Sequence, residues 1–415
     1  MNTVLLMMVL AQDPAAVEQA VDPVPPEVQD EEKKPTDWFH GVHLTGEWGG
    51  ARTWLEDHGV TFDVVYATEI FADASYPSAG NNSAFTGHLD VAVTLDTDGL
   101  GLWPGGTFYA VGQVNHGVGI NTLVGSTSEV SNIEAIPYIQ LGEFFFEQQL
   151  FDEKLTIRLG KQDANREFGT PRFGGNFINN NFGLIPSTPF PSYPTNGLGA
   201  LVLVKPVEWL ALRLMLIEGK PQIGSFGFDT AFKPDAGHFL IFGASAKHTL
   251  GLNNKTTGTT SAGFFRQQGP IPDLTDASEM PRMFDSNYGF YVQHDERIFI
   301  RPQNPDDPDS VTIITRIGWS QPDRTAMPFF AGMSVAYHGL GSRDDDTVGV
   351  GFGYFTVAQQ QNGTPGQGSE FFVEAFYKWR LTHFISLQPD LQYYHTPGGD
   401  GRDALLVGIR LKLKG

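Results

Sequence analysis

The segment Ala404 to Lys414 places Leu405, Val407, Ile409, Leu411 and Leu413 at alternate positions, with Leu406, Gly408, Arg410, Lys412 and Lys414 between them. Successive side chains on a strand point to opposite faces, so this spacing predicts a strand with one oily face and one largely polar face. Phe85, Gly87, Leu89, Val91, Val93 and Leu95 alternate in the same way with Thr86, His88, Asp90, Ala92, Thr94 and Asp96. Aspartates inside such a strand would be costly in a dry core and are natural on a water-filled lumen. Alternation read together with turn residues predicts sixteen strands, at 60–72, 85–97, 106–115, 136–150, 154–162, 198–205, 208–217, 238–248, 261–267, 288–301, 311–320, 328–338, 348–358, 370–380, 384–395 and 404–414. The count is even, as closed single-chain barrels of bacterial outer membranes require. The expected fold is therefore all-β: a transmembrane antiparallel β-barrel spanning residues 60–415.

Strand parity then places the loops. With both termini periplasmic, connections from an odd to an even strand are extracellular and should be the longer ones. Connections 116–135, 163–197, 218–237 and 268–287 are long, whereas 151–153, 206–207 and 381–383 are short. The connection 249–260 is long for a periplasmic turn. Loop 163–197, the third extracellular one, has the glycines, prolines and asparagines of a chain folded back on itself, and is expected to lie inside the lumen and constrict it.

In that loop Asp163 and Glu167 balance Arg166 and Arg172. It also carries Asn165, Asn176, Asn179, Asn180, Asn181 and Asn196, with Phe168, Phe173, Phe177, Phe182 and Tyr193. Amides and charged groups bond hydroxyls, and aromatic faces stack on the apolar faces of pyranose rings. Alternation turns the strand residues Arg158, Lys161 and Arg213 toward the lumen, where with Arg166 they would form a basic patch facing acidic residues across the pore. The candidate constriction and binding residues are thus Arg158, Lys161, Asp163, Asn165, Arg166, Glu167, Arg172, Phe173, Asn176, Phe177 and Arg213. The alternative for the loop is a lid packed on its own aromatics that shapes the pore without recognising a solute.

Composition changes the picture at the N-terminus. Val4 to Ala11 is apolar but far shorter than the ~20 residues a membrane-spanning helix needs, so residues 1–11 read as a signal peptide, although Met1, Asn2 and Thr3 lack the usual positive charge. Residues 12–36, with Pro14, Pro23, Pro25, Pro26 and Pro35 among many carboxylates, read as an acidic disordered linker. Residues 37–59 read as a periplasmic segment with a short amphipathic helix at 47–58, its apolar side made by Trp48, Ala51, Trp54 and Leu55. A formal charge of -20 with few clustered bases argues against nucleic acid as a partner. Cysteine is absent, which leaves neither a disulfide framework nor a thiolate metal site.

Other motifs carry little chemistry. Gly349, Gly351 and Gly353 alternate with Val348, Val350, Phe352 and Tyr354, and no helix pattern follows, so they read as small lumen-facing residues rather than a nucleotide loop. Asp306-Asp307-Pro308-Asp309 lacks the spacing of a calcium loop and reads as a solvated turn. The eleven histidines are scattered, and no G-x-S-x-G or H-E-x-x-H spacing occurs, so neither an enzyme nor a metal or cofactor site is expected.

Four stretches carry a family resemblance. They are Leu44-Thr45-Gly46-Glu47-Trp48-Gly49-Gly50-Ala51-Arg52 with Leu55 and His58-Gly59; Leu159-Gly160-Lys161-Gln162-Asp163-Ala164-Asn165 with Glu167-Phe168 and Gly175-Asn176-Phe177; Gly341-Ser342-Arg343-Asp344-Asp345-Asp346-Thr347 with Gly349 and Gly351; and Ser386-Leu387-Gln388-Pro389-Asp390-Leu391-Gln392-Tyr393 with Pro397-Gly398-Gly399 and Asp403-Ala404. In this order they resemble the carbohydrate-selective porins of the OprB type. The resemblance implies a sixteen-stranded barrel for passive diffusion of sugars across the outer membrane of a Gram-negative-type bacterium, without covalent chemistry, and a structural turn at Asp344–Asp346 with Arg343 bridging back. The chain departs from the family at its end, where Leu413-Lys414-Gly415 stands in place of the aromatic residue read by the barrel-assembly machinery. The expected permeants are small hydrophilic solutes, sugars first. A general or cation-favouring ion pore is the alternative that the acidic balance permits, and a structural barrel tethering envelope layers through the linker is a second. Lipid and the assembly machinery are the expected partners, and the assembly is a homotrimer or a monomer.

Overall fold

The structure, a computed structural model, describes residues 41–75, 82–228, 233, 236–249, 257–276, 278–300, 310–341, 343–361, 364–399 and 401–415. The signal segment 1–11, the linker 12–36 and the cluster at 306–309 lie outside the described residues.

Sixteen strands form a closed barrel in which each strand pairs antiparallel with its sequence neighbours. They are β1 (Val60–Asp73), β2 (Ser83–Asp96), β3 (Gly106–Val118), β4 (Tyr138–Leu150), β5 (Leu155–Gln162), β6 (Gly197–Val207), β7 (Leu210–Glu218) and β8 (His238–His248). The second half comprises β9 (Gly258–Pro272), β10 (Met283–Ile300), β11 (Ser310–Ser320), β12 (Phe329–Leu340), β13 (Arg343–Gln361), β14 (Thr364–Arg380), β15 (Ile385–His395) and β16 (Ala404–Lys414). β16 closes on β1 in register from Val65 opposite Lys414 to Asp73 opposite Leu406, so no edge is left unpaired. Each expected strand is present. β9, β10, β13 and β14 run past their expected ends, because the ladder continues where alternation gives no signal; loop 268–287 shortens to 273–282 as a result.

The wall inverts the usual distribution of side chains. Val91, Phe108, Phe242, Phe290, Phe352 and Val407 are exposed on the outside, while Glu143, Arg158, Arg213, Arg316 and Glu374 are buried within. Only lipid outside and polar matter inside make this arrangement stable. Trp103, Trp209 and Trp379 stand exposed at the ends where even strands finish, the position of an interfacial aromatic belt. Among the described residues no helix is long and apolar enough to cross a membrane.

The helix expected at 47–58 forms as α1 (Ala51–Glu56), preceded by a turn of 3-10 helix. Its buried residue is Arg52, not the tryptophans: the guanidinium lies 4.5 Å from the Trp48 ring and donates to Thr45 (3.0 Å) and to the Phe62 carbonyl (3.4 Å). Trp48 and Trp54 stay exposed. At the chain reversal before β1, Gly59 has a φ of +77° and its Cα lies 2.6 Å from where a Cβ on Gly99 would sit, so two backbones meet where no side chain fits.

Candidate functional site

Loop 163–197 leaves β5 and turns directly into the lumen. Asp163 caps α3 (Ala164–Phe168) by accepting from the backbone N–H of Asn165 and Arg166, which satisfies donors the first helical turn leaves open. α3 presents Glu167 to Arg158 at 2.7 Å and to Arg213 at 3.5 Å, and Arg158 also holds Glu147 at 2.7 Å. Arg166 pairs with Glu143 of β4. Glu143, Glu147, Arg158 and Arg213 are buried, and a buried charge persists only when it is paired and hydrogen-bonded. Burial pushes the Glu167 carboxyl up, but the charges of Arg158 and Arg213 outweigh it and hold the group below its ordinary value.

The loop then crosses to the opposite wall. Arg316 of β11 donates to the carbonyls of Asn181 (3.0 Å), Leu184 (2.9 Å) and Gly169. Glu374 of β14 accepts from the backbone N–H of Ile178 (2.7 Å) and Asn179 (3.0 Å), and the Asn179 amide donates to Tyr394 (2.6 Å) and Gln392 (2.9 Å). Phe177 and Phe182, 4.3 Å apart, stand edge-on to Phe376 and Phe372 respectively. They occupy the space left by inward glycines: a Cβ on Gly351 would lie 2.3 Å from Phe182, and one on Gly349 3.3 Å from Phe177.

A second extracellular loop, 119–137, folds inward behind the first. It begins with α2 (Asn121–Val124). Arg410 of β16 donates to Ser131 and to Asn132, each at 2.8 Å. Asn132 in turn donates to the carbonyls of Ile178 (2.9 Å) and Phe177 (3.2 Å), and Ser128 to Asn181 (2.7 Å). Glu134 accepts from the N–H of Asn121 (2.7 Å) and Ser131 (3.0 Å), and burial pushes its carboxyl up to about 7 despite those bonds. A third loop reaches in through Ser225, which accepts from Lys161 at 3.0 Å.

What stays open is a cavity of about 560 Å³ between loop 163–197, β1 to β4 and β14 to β16. Strand direction runs it from mid-barrel toward the periplasmic mouth. Asp63, Asp90 and Glu143 line one side with Tyr109, whose ring stacks 5.0 Å from Phe145. Lys378, Arg410, Lys412 and Lys414 line the adjoining wall, where β16 pairs with β1, with Ser386 and Gln388. Asp90 takes bonds of 3.0 Å from both His88 and Gln113.

The family model for the carbohydrate-selective porin, OprB family, matches residues 81–414. The chain belongs to that family. Porin B of Pseudomonas aeruginosa is 21% identical over 89% of this chain and 90% of its own length. A putative porin, QuiX, of Acinetobacter baylyi is 20% identical over 89% of this chain and 92% of its own. Among solved structures, the high-pH structure of Pseudomonas putida OprB superposes with a TM-score of 0.78 at 17% identity, covering 91% of this chain and 99% of that one. The protein is an outer-membrane porin.

Of the residues singled out from sequence, Asp163, Asn165, Arg166, Glu167 and Arg213 line the porin's cavity. Arg158 sits behind the loop as its support, whereas Lys161 holds the Leu141 carbonyl and Ser225. Arg172 leans on Asp295 at 3.3 Å and lies 4.4 Å over Phe173, away from the cavity. Asn176 contributes its carbonyl to Gln388 at 2.9 Å, and Phe177 is buried. Two expectations need correction. The arginines do not form a bare basic patch, since each lies against a glutamate that makes its burial tolerable. The loop phenylalanines turn to the wall, because burying such a ring is worth about 1.5–3 kcal/mol, and only Tyr193 among the loop aromatics faces the cavity. Sequence reasoning passed over Asp63, Tyr109, Lys412 and Lys414 as site residues, although inward alternation on β1, β3 and β16 marks all four.

Proposed function

We propose that the porin passes small neutral sugars by diffusion through a path narrowed by loop 163–197, with Asp163, Asn165, Arg166, Glu167 and Arg213 forming its polar constriction, and without covalent chemistry. The observation that carries this reading is the double anchoring of the loop across the lumen, by Arg158 and Arg213 on one wall and by Arg316 and Glu374 on the other. A loop held on both sides sets a fixed aperture, as size selection requires. The paired charges supply donors and acceptors for hydroxyl groups while cancelling each other's long-range field, which suits an uncharged solute. The acidic balance of the chain gives little ground for a cation pore, because the cavity is lined by six bases and five carboxylates. Swelling of liposomes carrying the porin tests the reading: glucose should enter faster than a trisaccharide. Ion conductance without any sugar-driven swelling would overturn it.

A further inference from the structure

The helix α1 follows the rim of the barrel rather than crossing its mouth. Before it, the Leu44 N–H donates to the Lys414 carbonyl at the end of β16 (3.2 Å). After it, the Gly59 carbonyl accepts from the Asp96 N–H at the end of β2 (2.8 Å). Its 6 residues span about 9 Å, close to the two strand spacings, about 4.8 Å each, that separate β16 from β2. The side of α1 toward the barrel buries Arg52 beneath Trp48. Trp48 in turn lies 6.2 Å from Phe62. Phe62 belongs to the outward row of β1, the row of Ile70, which is 53% exposed. The Trp48 ring therefore stands on the lipid-facing side of the wall. Trp103, in the turn after β2, packs in the same way at 6.3 Å on Phe146, whose partner across the ladder, Phe108, is exposed. Trp54 of α1 is 59% exposed. Among the described residues none before Thr61 lines the cavity.

We propose that α1 is a membrane-surface helix whose tryptophans, Trp48 and Trp54, sit in the headgroup layer of the periplasmic phospholipid leaflet. An indole joins a large apolar face to a single N–H donor and collects where hydrocarbon meets water. Against lipid the two rings extend the apolar interface that the wall already makes; in open periplasm they would be a bare patch of the kind water-facing surfaces avoid. The carboxylates Glu47, Glu56 and Asp57 are exposed, so the segment keeps polar groups for the water beside the headgroups. The proposal rests on the barrel in its membrane and not on which solute the pore passes.

The chain has no cysteine, so Trp54→Cys offers a single attachment point for an environment-sensitive dye and leaves Trp48 in place. The labelled full-length porin is placed in phosphatidylcholine vesicles, with and without phospholipid brominated close to the headgroup. Bromolipid should dim the dye about twofold, as an interfacial position requires, while iodide in the medium should change it little. A dye quenched by iodide and untouched by bromolipid stands in open water and overturns the proposal. A dye shielded from both is covered by protein and overturns it too; disulfide-linked pairs of the unlabelled variant would name a second copy as the cover. Glucose swelling gives a separate readout. Trp48→Ser with Trp54→Ser, in barrels that keep their compact gel mobility, should swell liposomes at the rate of the original. A clear rise in that rate would mean that α1 caps the mouth, and would overturn the placement at the rim.

Discussion

At the scale of single residues, the proposed constriction rests on Glu167, which ties α3 to the wall. It lies between Arg158 and Arg213, both buried, and pairs with each of them. Breaking a buried pair by deleting one partner costs about 3–5 kcal/mol, because the remaining charge is stranded. Glu167→Gln should therefore loosen α3 from the wall, and single-channel recordings should show a larger and noisier conductance than the original. Glu134 makes the opposite kind of prediction. Its folded-state value is raised from 4.5 to about 7, so its contribution to stability is full below 4.5 and is lost as pH rises through about 7. The protection factors of the Asn121 and Ser131 amides, which donate to it, corrected for intrinsic exchange at each pH, should be highest in acid and fall above pH 7. Glu134→Gln should remove that dependence.

At the scale of elements, the loops and the wall were shaped for each other. Gly349 and Gly351 are inward positions of β13 whose missing side chains admit Phe177 and Phe182. A Cβ on Gly351 would meet Phe182 at 2.3 Å, so Gly351→Val should expel that ring and widen the pore, whereas Val350→Ala on the lipid face should leave the conductance unchanged. Single-channel conductance of the two variants checks both halves. The glycine row was legible in the sequence as small and lumen-facing, and so were the strands, since alternation is imposed residue by residue by lipid outside and water inside. The inward turn of loop 119–137 was not legible. Its anchors are Arg410, Asn132 and Glu134, scattered polar residues whose meeting depends on closing the barrel, and no local period marks such contacts. The same reason hid the role of the loop phenylalanines: their destination is a gap in a strand more than a hundred residues away.

At the scale of the whole molecule, the seam between β1 and β16 decides whether there is a barrel at all. Every other strand pair joins neighbours in sequence, but this pair joins the two ends, and closing the longest loop carries the largest entropic cost. The seam has extra fastenings. Arg410 is held by Glu69 at 2.6 Å across it, the Gly415 N–H donates to the Val64 carbonyl at 2.7 Å, and the Leu44 N–H donates to the Lys414 carbonyl at 3.2 Å. Through Arg52, which ties Thr45 to the Phe62 carbonyl, residues 43–62 form a clasp over the end of β16. This clasp lies at the periplasmic end of the seam and makes no bond to loop 163–197 among those described, so its contribution is to closure rather than to the aperture. Arg52→Ala should then leave glucose swelling and conductance as they are while lowering the temperature at which the folded barrel loses its compact mobility in a semi-denaturing gel. The cost expected for stranding its hydrogen-bond partners is about 1–3 kcal/mol. An altered conductance with an unchanged melting temperature would mean that the clasp acts on the pore and not on the seam.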